Sequence, residues 1–210
     1  MPGALAGRTA LVDLWFTVGV LYLVRHGRTA ANASGLLQGL LDPPLDAIGC
    51  KQATAIAELI GPVDTVISSS LQRAAQTAEC FGKPVEVDDR WIEVSYGEYE
   101  GVPAAEVPMN VWDSWRTDRQ FAVNGGETFA ALDTRVRSAC VDLQHRIGGE
   151  DIVVVSHVSP IKAAVAWALD TSLEIMFHCH LSQASVCRVG VGNFGTVLHS
   201  FNEQALTDLR

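Results

Sequence analysis

The sequence predicts an α/β fold around a largely parallel sheet. Three observations carry this expectation. Apolar, β-rich runs alternate with helix-like stretches along the chain, the order of strand–helix–strand units. Two runs, Val20-Leu21-Tyr22-Leu23-Val24 and Ile152-Val153-Val154-Val155, are apolar without interruption, as in strands covered on both faces. The 210 residues, 48% hydrophobic and 19% charged, suffice for one buried core and exclude a disordered chain.

Each element has a local reason. The first strand is Val20 to Val24. A helix is predicted from Ala47 to Ile60, capped by Asp46 and stopped by Gly61-Pro62. A strand over Thr65 to Ser68 leads into a helix from Leu71 to about Cys80, closed by Gly82 and Pro84. Trp91 to Gly101 reads as loop. A long helix is expected from Thr128 to Arg146, ended by Gly148-Gly149. The strand at Ile152–Val155 is followed by a helix after Ser159-Pro160, and two strands close the chain near Ala184–Val189 and Thr196–His199. Residues 1–17 differ in character and read as a loosely docked or poorly ordered extension. Residues 18–210 read as a single domain with a lid around 91–127.

Charge and cysteine content narrow the function classes. Acidic residues outnumber basic ones, 24 to 15, for a formal charge of -9. Such a chain is poorly suited to nucleic acid or to an anionic membrane, and an anionic substrate would need a local cluster of Arg or His. The cysteines Cys50, Cys80, Cys140, Cys179 and Cys187 are odd in number and lack C-x-x-C spacing, which reads as reduced thiols in a cytoplasmic protein. The apolar run Leu11 to Val24 is short for a membrane span and is interrupted by Asp13. No small-residue cleavage site follows it, so a signal peptide is not expected. Five tryptophans and the hydrophobic extension leave a homodimer open.

Two of the strongest strands run into histidine. Leu21–Val24 leads to Arg25-His26-Gly27, and Ile152–Val155 leads to Ser156-His157. Ligands of open α/β sheets bind beyond the carboxyl ends of the strands. Parallel neighbours would therefore bring both histidines to one crevice. Arg73, in the first turn of the helix after Ser68-Ser69-Ser70, would reach the same edge. Two His and two Arg on one rim form a candidate anion site.

The longer strings are more specific. Leu23-Val24-Arg25-His26-Gly27-Arg28-Thr29-Ala30-Ala31-Asn32 resembles the opening signature of the histidine phosphatase, or phosphoglycerate mutase-like, superfamily. Gln38-Gly39, Asp42, Pro44-Leu45, Gly49 and Gln52-Ala53 resemble its next block. Ser69-Ser70-Leu71-Gln72-Arg73-Ala74 with Gln76-Thr77-Ala78 resembles its second arginine motif. Ile92-Glu93, Gly97 and Glu100-Gly101 resemble its acid loop, Gly125-Gly126-Glu127-Thr128 its helix start, and Val154-Val155-Ser156-His157 its second histidine motif. The resemblance spans about residues 19 to 200. It implies a three-layer α/β/α sandwich with a mostly parallel central sheet.

It also implies roles. His26 would be the nucleophile that forms a phosphohistidine, its other ring nitrogen carrying a proton held by an acceptor such as a backbone carbonyl. Arg25, Arg73 and His157 would bind the non-bridging phosphate oxygens, His157 as the cation once phosphate is bound. Asn32 would add an amide donor, Val158 a backbone N–H, and Gln38 and Gly39 contacts to the phosphate or its ester group. Glu93 would protonate the leaving alcohol and then activate water. Glu98 and Glu100 lie close by, and Glu98 is the alternative acid. No metal or cofactor is implied.

Several residues depart from the pattern or sit outside it. Arg28 stands where family members often carry Glu or Gln; it would add positive charge near the mouth or be a surface residue. Val158-Ser159-Pro160 replaces the usual Gly-Gly after the second His, and Pro160 suits the first turn of a helix. An Asp directly after that His marks the phytase-like branch, which Val158 excludes. His178-Cys179-His180 invites a metal reading but lacks a further ligand at the right spacing. His145 and His199 read as surface or strand residues. Trp112, Trp115 and the Arg116–Arg119 region form either a helical lid or an ordinary helix with a core face.

Three functions follow. The first is a phosphoric monoester hydrolase of the histidine acid phosphatase type, acting without metal on a small phosphorylated metabolite. The second is a cofactor-dependent phosphoglycerate mutase. The third is a non-catalytic phosphate-ligand binder. The short segment between Glu93 and Gly125 lacks the basic, proline-rich insert of mutases, which favours hydrolysis. A binder would have lost a catalytic group, and none is missing.

Overall fold

The computed structural model describes residues 19–205. The extension expected over residues 1–17 lies outside them. Six strands form one sheet in the order β3-β2-β4-β1-β5-β6. In chain order they are β1 (Leu21–Arg25), β2 (Thr65–Ser68), β3 (Val85–Val87), β4 (Ile152–Ser156), β5 (Ser185–Gly192) and β6 (Gly195–Gln204). The helices are α1 (Ala30–Ala33), α2 (Ala47–Ile60), α3 (Gln72–Glu79), α4 (Met109–Thr117), α5 (Phe129–Ile147) and α6 (Val158–Ala168). Strands β3, β2, β4 and β1 pair in parallel, while β5 and β6 add antiparallel. The sheet is therefore mixed, with its parallel half carrying both histidine motifs.

Strand periodicity sorts the core into two layers. Side chains alternate across a strand. Leu21, Leu23, Ile152 and Val154 join Leu132 and Val136 of α5 and Ile161 of α6 on one face. Tyr22, Val24, Val153 and Val155 join Ile56 of α2 with Ala74 and Ala78 of α3 on the other. All five residues of β1 and of β4 are buried. This is the three-layer α/β/α sandwich, and full burial of a Val, Leu or Ile side chain stabilises it by about 1.5–3 kcal/mol each.

Local signals act as their chemistry dictates. The Asp46 carboxylate accepts from Gly49 N at 2.7 Å and starts α2, and Gly61 ends it with a φ of 80°. The Thr128 hydroxyl accepts from Ala131 N at 3.1 Å and starts α5. Pro160 falls in the first turn of α6, where its missing N–H costs no helix bond. Strand β3 adds to the expected set; its three residues at a sheet edge carry too short a pattern to be read from sequence. Helix α4 packs its tryptophans together. Trp115 is 3% exposed within the main core, and Trp112 packs on it edge to face at 5.2 Å. Arg116 pairs with Asp113, and Arg119 with Asp133. This helix therefore turns one face to the core and its charged residues outward.

Two glycines let the site come close to α2. A Cβ on Gly49 would overlap the carbonyl oxygen of Arg28, and one on Gly27 would overlap the carbonyl oxygen of Gly49. The turn after β1 thus rests directly on helix backbone. Among the described residues, no helix is long and apolar enough to cross a membrane.

Candidate active site

Parallel pairing of β1 with β4 puts Arg25 opposite Ser156 in register. The next residue of each strand is then His26 and His157, whose rings lie 5.1 Å apart. His26 N donates to Ser156 O at 3.0 Å, which locks the two strand ends together. Ser69, just past β2, donates its N–H to Val155 O, and its hydroxyl lies 2.7 Å from His157 Nε2. Three neighbouring strands thus deliver His26, His157 and, through α3, Arg73 to one sheet edge.

His26 is 3% exposed. Its Nδ1 donates to the Gly27 carbonyl at 2.7 Å, which leaves Nε2 with the lone pair. Burial, reinforced by Arg25 and Arg73, pushes its pKa well below the ordinary value. The ring is therefore neutral over the physiological range. His157 is pushed down in the same way, by burial first and then by Arg73, His26 and Arg25. Its charged form, expected with phosphate bound, would need that anion to offset two nearby guanidiniums.

The arginines are aimed by backbone carbonyls. Arg25 donates to Leu181 O at 2.6 Å. Arg73 donates to Leu41 O at 2.6 Å and Gly39 O at 2.8 Å. Burial lowers Arg25 to about 10, so it stays charged at neutral pH. Three buried nitrogens here, Arg25 Nε, Arg73 Nε and His157 Nδ1, have no hydrogen-bond partner among the described residues. Unpaired buried donors are costly, about 1–3 kcal/mol each. An oxyanion satisfies such donors.

The cavity in front of them has a volume of about 210 Å³. It is lined by Arg25, His26, Arg73 and Glu93, by Asn32, Gln38, Gly39 and Val158, and by Leu36, Leu37 and Tyr96. Every residue expected at the site lines it except His157, which is fully buried behind His26. Asn32 and Gln38 both turn their oxygens to Thr29, at 3.1 and 3.0 Å, which leaves their NH2 groups as donors. Gly39 O is committed to Arg73, so only its N–H is left to face a ligand. Gly39 has a φ of 51°, and a Cβ there would overlap the Glu100 carboxylate. A larger cavity of about 540 Å³ lies between α6 and the β5–β6 turn, but its lining holds a single ionisable side chain, Asp170.

Glu93 and its neighbours separate by position. Glu93 is 6% exposed, and its Oε1 accepts from Val94 N at 2.9 Å and Ser159 N at 3.2 Å. That leaves Oε2 for a proton. Glu98 is exposed and does not line the cavity. Glu100 Oε1 accepts from Leu40 N, Ser95 Oγ and Tyr96 N, so it fastens the loops on either side of the cavity. Arg28 is drawn away from the mouth onto Asp46 at 2.8 Å. Cys179, between His178 and His180, donates to Ile175 O. No group of three or more His, Cys, Asp or Glu that could hold a metal ion occurs among the described residues.

Sequence reasoning missed Arg135 of α5. Its Nε and one NH2 proton meet the Glu127 carboxylate, both at 2.8 Å. Its other donors reach Arg90 O and Ile92 O at 2.8 Å and Glu93 O at 3.3 Å. All five guanidinium N–H groups are used, three of them on the loop that carries Glu93. No spacing signals this pairing, because Glu127 precedes the N-cap Thr128 and lies outside α5. Ser69 and Thr29 were also missed as supports; both sit in quoted motifs, but only the fold gives them partners.

The buried histidines make stability depend on pH. Their folded pKa values lie below the unfolded value of about 6.5, so unfolding takes up protons as the pH drops below about 6.5. Their contribution is complete above that pH and is lost on acidification, at about 1.4 kcal/mol per pH unit for each proton taken up. Urea midpoints should be flat from about pH 8 to about 6.5 and fall toward about pH 5. His157→Asn should make that fall shallower, and a midpoint that rises on acidification would contradict the assignment.

A buried imidazole held by a backbone carbonyl, two guanidiniums and a held carboxylate at one edge of the sheet fit the histidine phosphatase class. Residues 21–204 match the profile of the histidine phosphatase superfamily (branch 1), and the chain belongs to that family. Among similar proteins is the bifunctional protein Rv2228c of Mycobacterium tuberculosis, 34% identical over 176 residues, covering 79% of this chain and 48% of that protein. The chain thus spans about half the length of the first curated relatives it matches. Phosphoserine phosphatase 1 of Hydrogenobacter thermophilus is 32% identical over 164 residues, 73% of this chain and 78% of that one. The crystal structure of a phosphoserine phosphatase mutant from Entamoeba histolytica, in complex with phosphoserine, superposes with a TM-score of 0.82 at 27% identity, covering 90% of this chain and 99% of that one.

Proposed function

We propose that the protein is a metal-independent phosphomonoester hydrolase of the histidine acid phosphatase type, acting on a small phosphorylated metabolite. The observation that carries this is the pinned, neutral His26, whose Nε2 is the free ring nitrogen in a cavity bounded by Arg25, Arg73 and Glu93. Free thiols at all five cysteines support a cytoplasmic setting.

Two steps balance the chemistry. Nε2 of His26 attacks phosphorus, the P–O ester bond breaks, and Glu93 gives its proton to the leaving oxygen. Water then attacks the phosphohistidine, the N–P bond breaks, and Glu93 takes the proton back. Arg25, Arg73 and His157 neutralise the equatorial oxygens, with the amides of Asn32 and Gln38 and the N–H groups of Gly39 and Val158 as further donors. The site needs no metal for charge compensation, because two arginines and a histidine supply it.

The direct test is hydrolysis of p-nitrophenyl phosphate in EDTA across about pH 5 to 8, with quenched-flow trapping of an acid-labile phosphoenzyme. Bisphosphate-stimulated isomerisation of phosphoglycerate in place of hydrolysis would instead make it a mutase.

Arg135 acts here as a positioning residue, because it fixes the main chain on both sides of Glu93. Lys offers three donors where the site uses five. Arg135→Lys should lower kcat on an alkyl phosphate about tenfold or more while KM stays within about twofold. The loss on p-nitrophenyl phosphate should be smaller, since its leaving group needs little protonation. An equal loss on both substrates would mark Arg135 as merely structural.

A further inference from the structure

Beyond the phosphate itself, the cavity has a one-sided chemistry. Among the described residues, Arg25 and Arg73 are the only lysine or arginine side chains in its lining, and both face the phosphate site. Nearby cations are engaged elsewhere. Arg28 pairs with Asp46, Lys162 donates to Met176 O at 2.8 Å, and Arg135 is spent on Glu127 and the acid loop. Arg116 pairs with Asp113 and lines a separate cavity.

What remains beside the phosphate donors is apolar or acidic. Leu36, Leu37 and Tyr96 form the wall, and Tyr96 is backed by Trp115 at 5.6 Å. Leu40 and Leu41 continue from the Gln38-Gly39 turn with 44% and 43% of their surface exposed. The carboxylates that act on Arg73 are Glu93, Asp42 and Glu100. A carboxylate on the leaving group would therefore meet no cation there and would lose its water against leucine and tyrosine. The formal charge of -9 adds a long-range penalty.

Resting on the hydrolase reading above, we propose that the site selects phosphomonoesters whose leaving alcohol is uncharged and partly apolar, and rejects those bearing a carboxylate beside the phosphate. At about 210 Å³ the cavity is smaller than the roughly 300–1,000 Å³ of drug-sized ligand sites. It encloses the phosphate and the first atoms of the alcohol, and the rest extends along Leu36 and Leu37. This separates the chain in specificity from a phosphoserine phosphatase, whose substrate carries a carboxylate.

Matched pairs test it. The wild-type protein is assayed with phenyl phosphate against 3-carboxyphenyl phosphate, and with glycerol 3-phosphate against 3-phosphoglycerate. The uncharged member of each pair should have a kcat/KM at least about tenfold higher. A ratio near one, or a preference for the carboxylate, overturns the proposal while leaving the hydrolase reading intact. Absence of turnover with all four and with p-nitrophenyl phosphate overturns both. Leu36→Arg should raise kcat/KM for 3-carboxyphenyl phosphate relative to phenyl phosphate about fivefold or more. An unchanged ratio in that variant, with phenyl phosphate still turned over, would show that the leucine wall does not face the leaving group.

Discussion

Replacing His26 with Ala should abolish turnover, lowering kcat by about 10⁴-fold or more. The effect is the largest expected because in the proposed mechanism the imidazole forms the bond to phosphorus, and nothing beside it can substitute. His157 sits 5.1 Å away, but its Nε2 is engaged with Ser69 and its ring does not line the cavity. The variant should still fold, since His26 makes its main-chain bond to Ser156 whatever its side chain. It should also still bind phosphate or vanadate, because Arg25, Arg73, Asn32 and Gln38 are untouched. The measurement is single-turnover labelling with an alkaline quench. Wild type should give an acid-labile, alkali-stable phosphoenzyme, and His26→Ala none. Labelling that persists in the variant would place the nucleophile elsewhere.

Glu93→Gln should divide substrates by leaving group. Removing a general acid costs about 10²–10⁴-fold. For alkyl phosphates the full cost should appear, because the departing alkoxide needs the proton. For p-nitrophenyl phosphate, phosphorylation of His26 should proceed and hydrolysis of the phosphohistidine should stall, since the same carboxylate activates water. A burst of about one p-nitrophenol per site followed by slow turnover is the expected trace. Gln can still accept from Val94 and Ser159 through its amide oxygen, so the loop should keep its place. A uniform loss without a burst would remove Glu93 from both proton transfers. Glu98→Gln, at an exposed position, should leave all of these traces as in wild type.

Much of the candidate site was legible because the residues that line it sit in short strings, two of them at strand ends. Arg25-His26-Gly27 and Ser156-His157 each follow an apolar run, and a run that hydrophobic has to be a central strand. Asn32, Gln38, Gly39, Arg73, Glu93 and Val158 sit in strings of the same kind, and all line the cavity. The short-range elements were legible for a related reason. Asp46, Gly61 and Thr128 act on main-chain groups within a few residues, so α2 keeps its predicted bounds and α5 shifts by a single residue.

What escaped was long-range pairing. Arg135 lies more than forty residues from the carbonyls it holds, and Arg28 finds Asp46 instead of the cavity mouth. The sign of a charge can be read from sequence, but its partner depends on where the chain returns. That Trp115 packs on Tyr96 and Tyr99 was likewise invisible in the sequence, because those contacts join separate segments.

By itself the sequence determined the alternation of strands and helices and the placing of Arg25-His26, His157 and Arg73 just past the ends of three strands. Those follow from hydrophobic period and local capping, which act between near neighbours. Tertiary structure alone decided which ring nitrogen of His26 is free, which carbonyls aim the arginines, and that the wall beside the phosphate is leucine and tyrosine without a cation. Those depend on donors and acceptors brought together from distant segments, and burial then fixes each pairing because an unmatched polar group in the interior is too costly to keep.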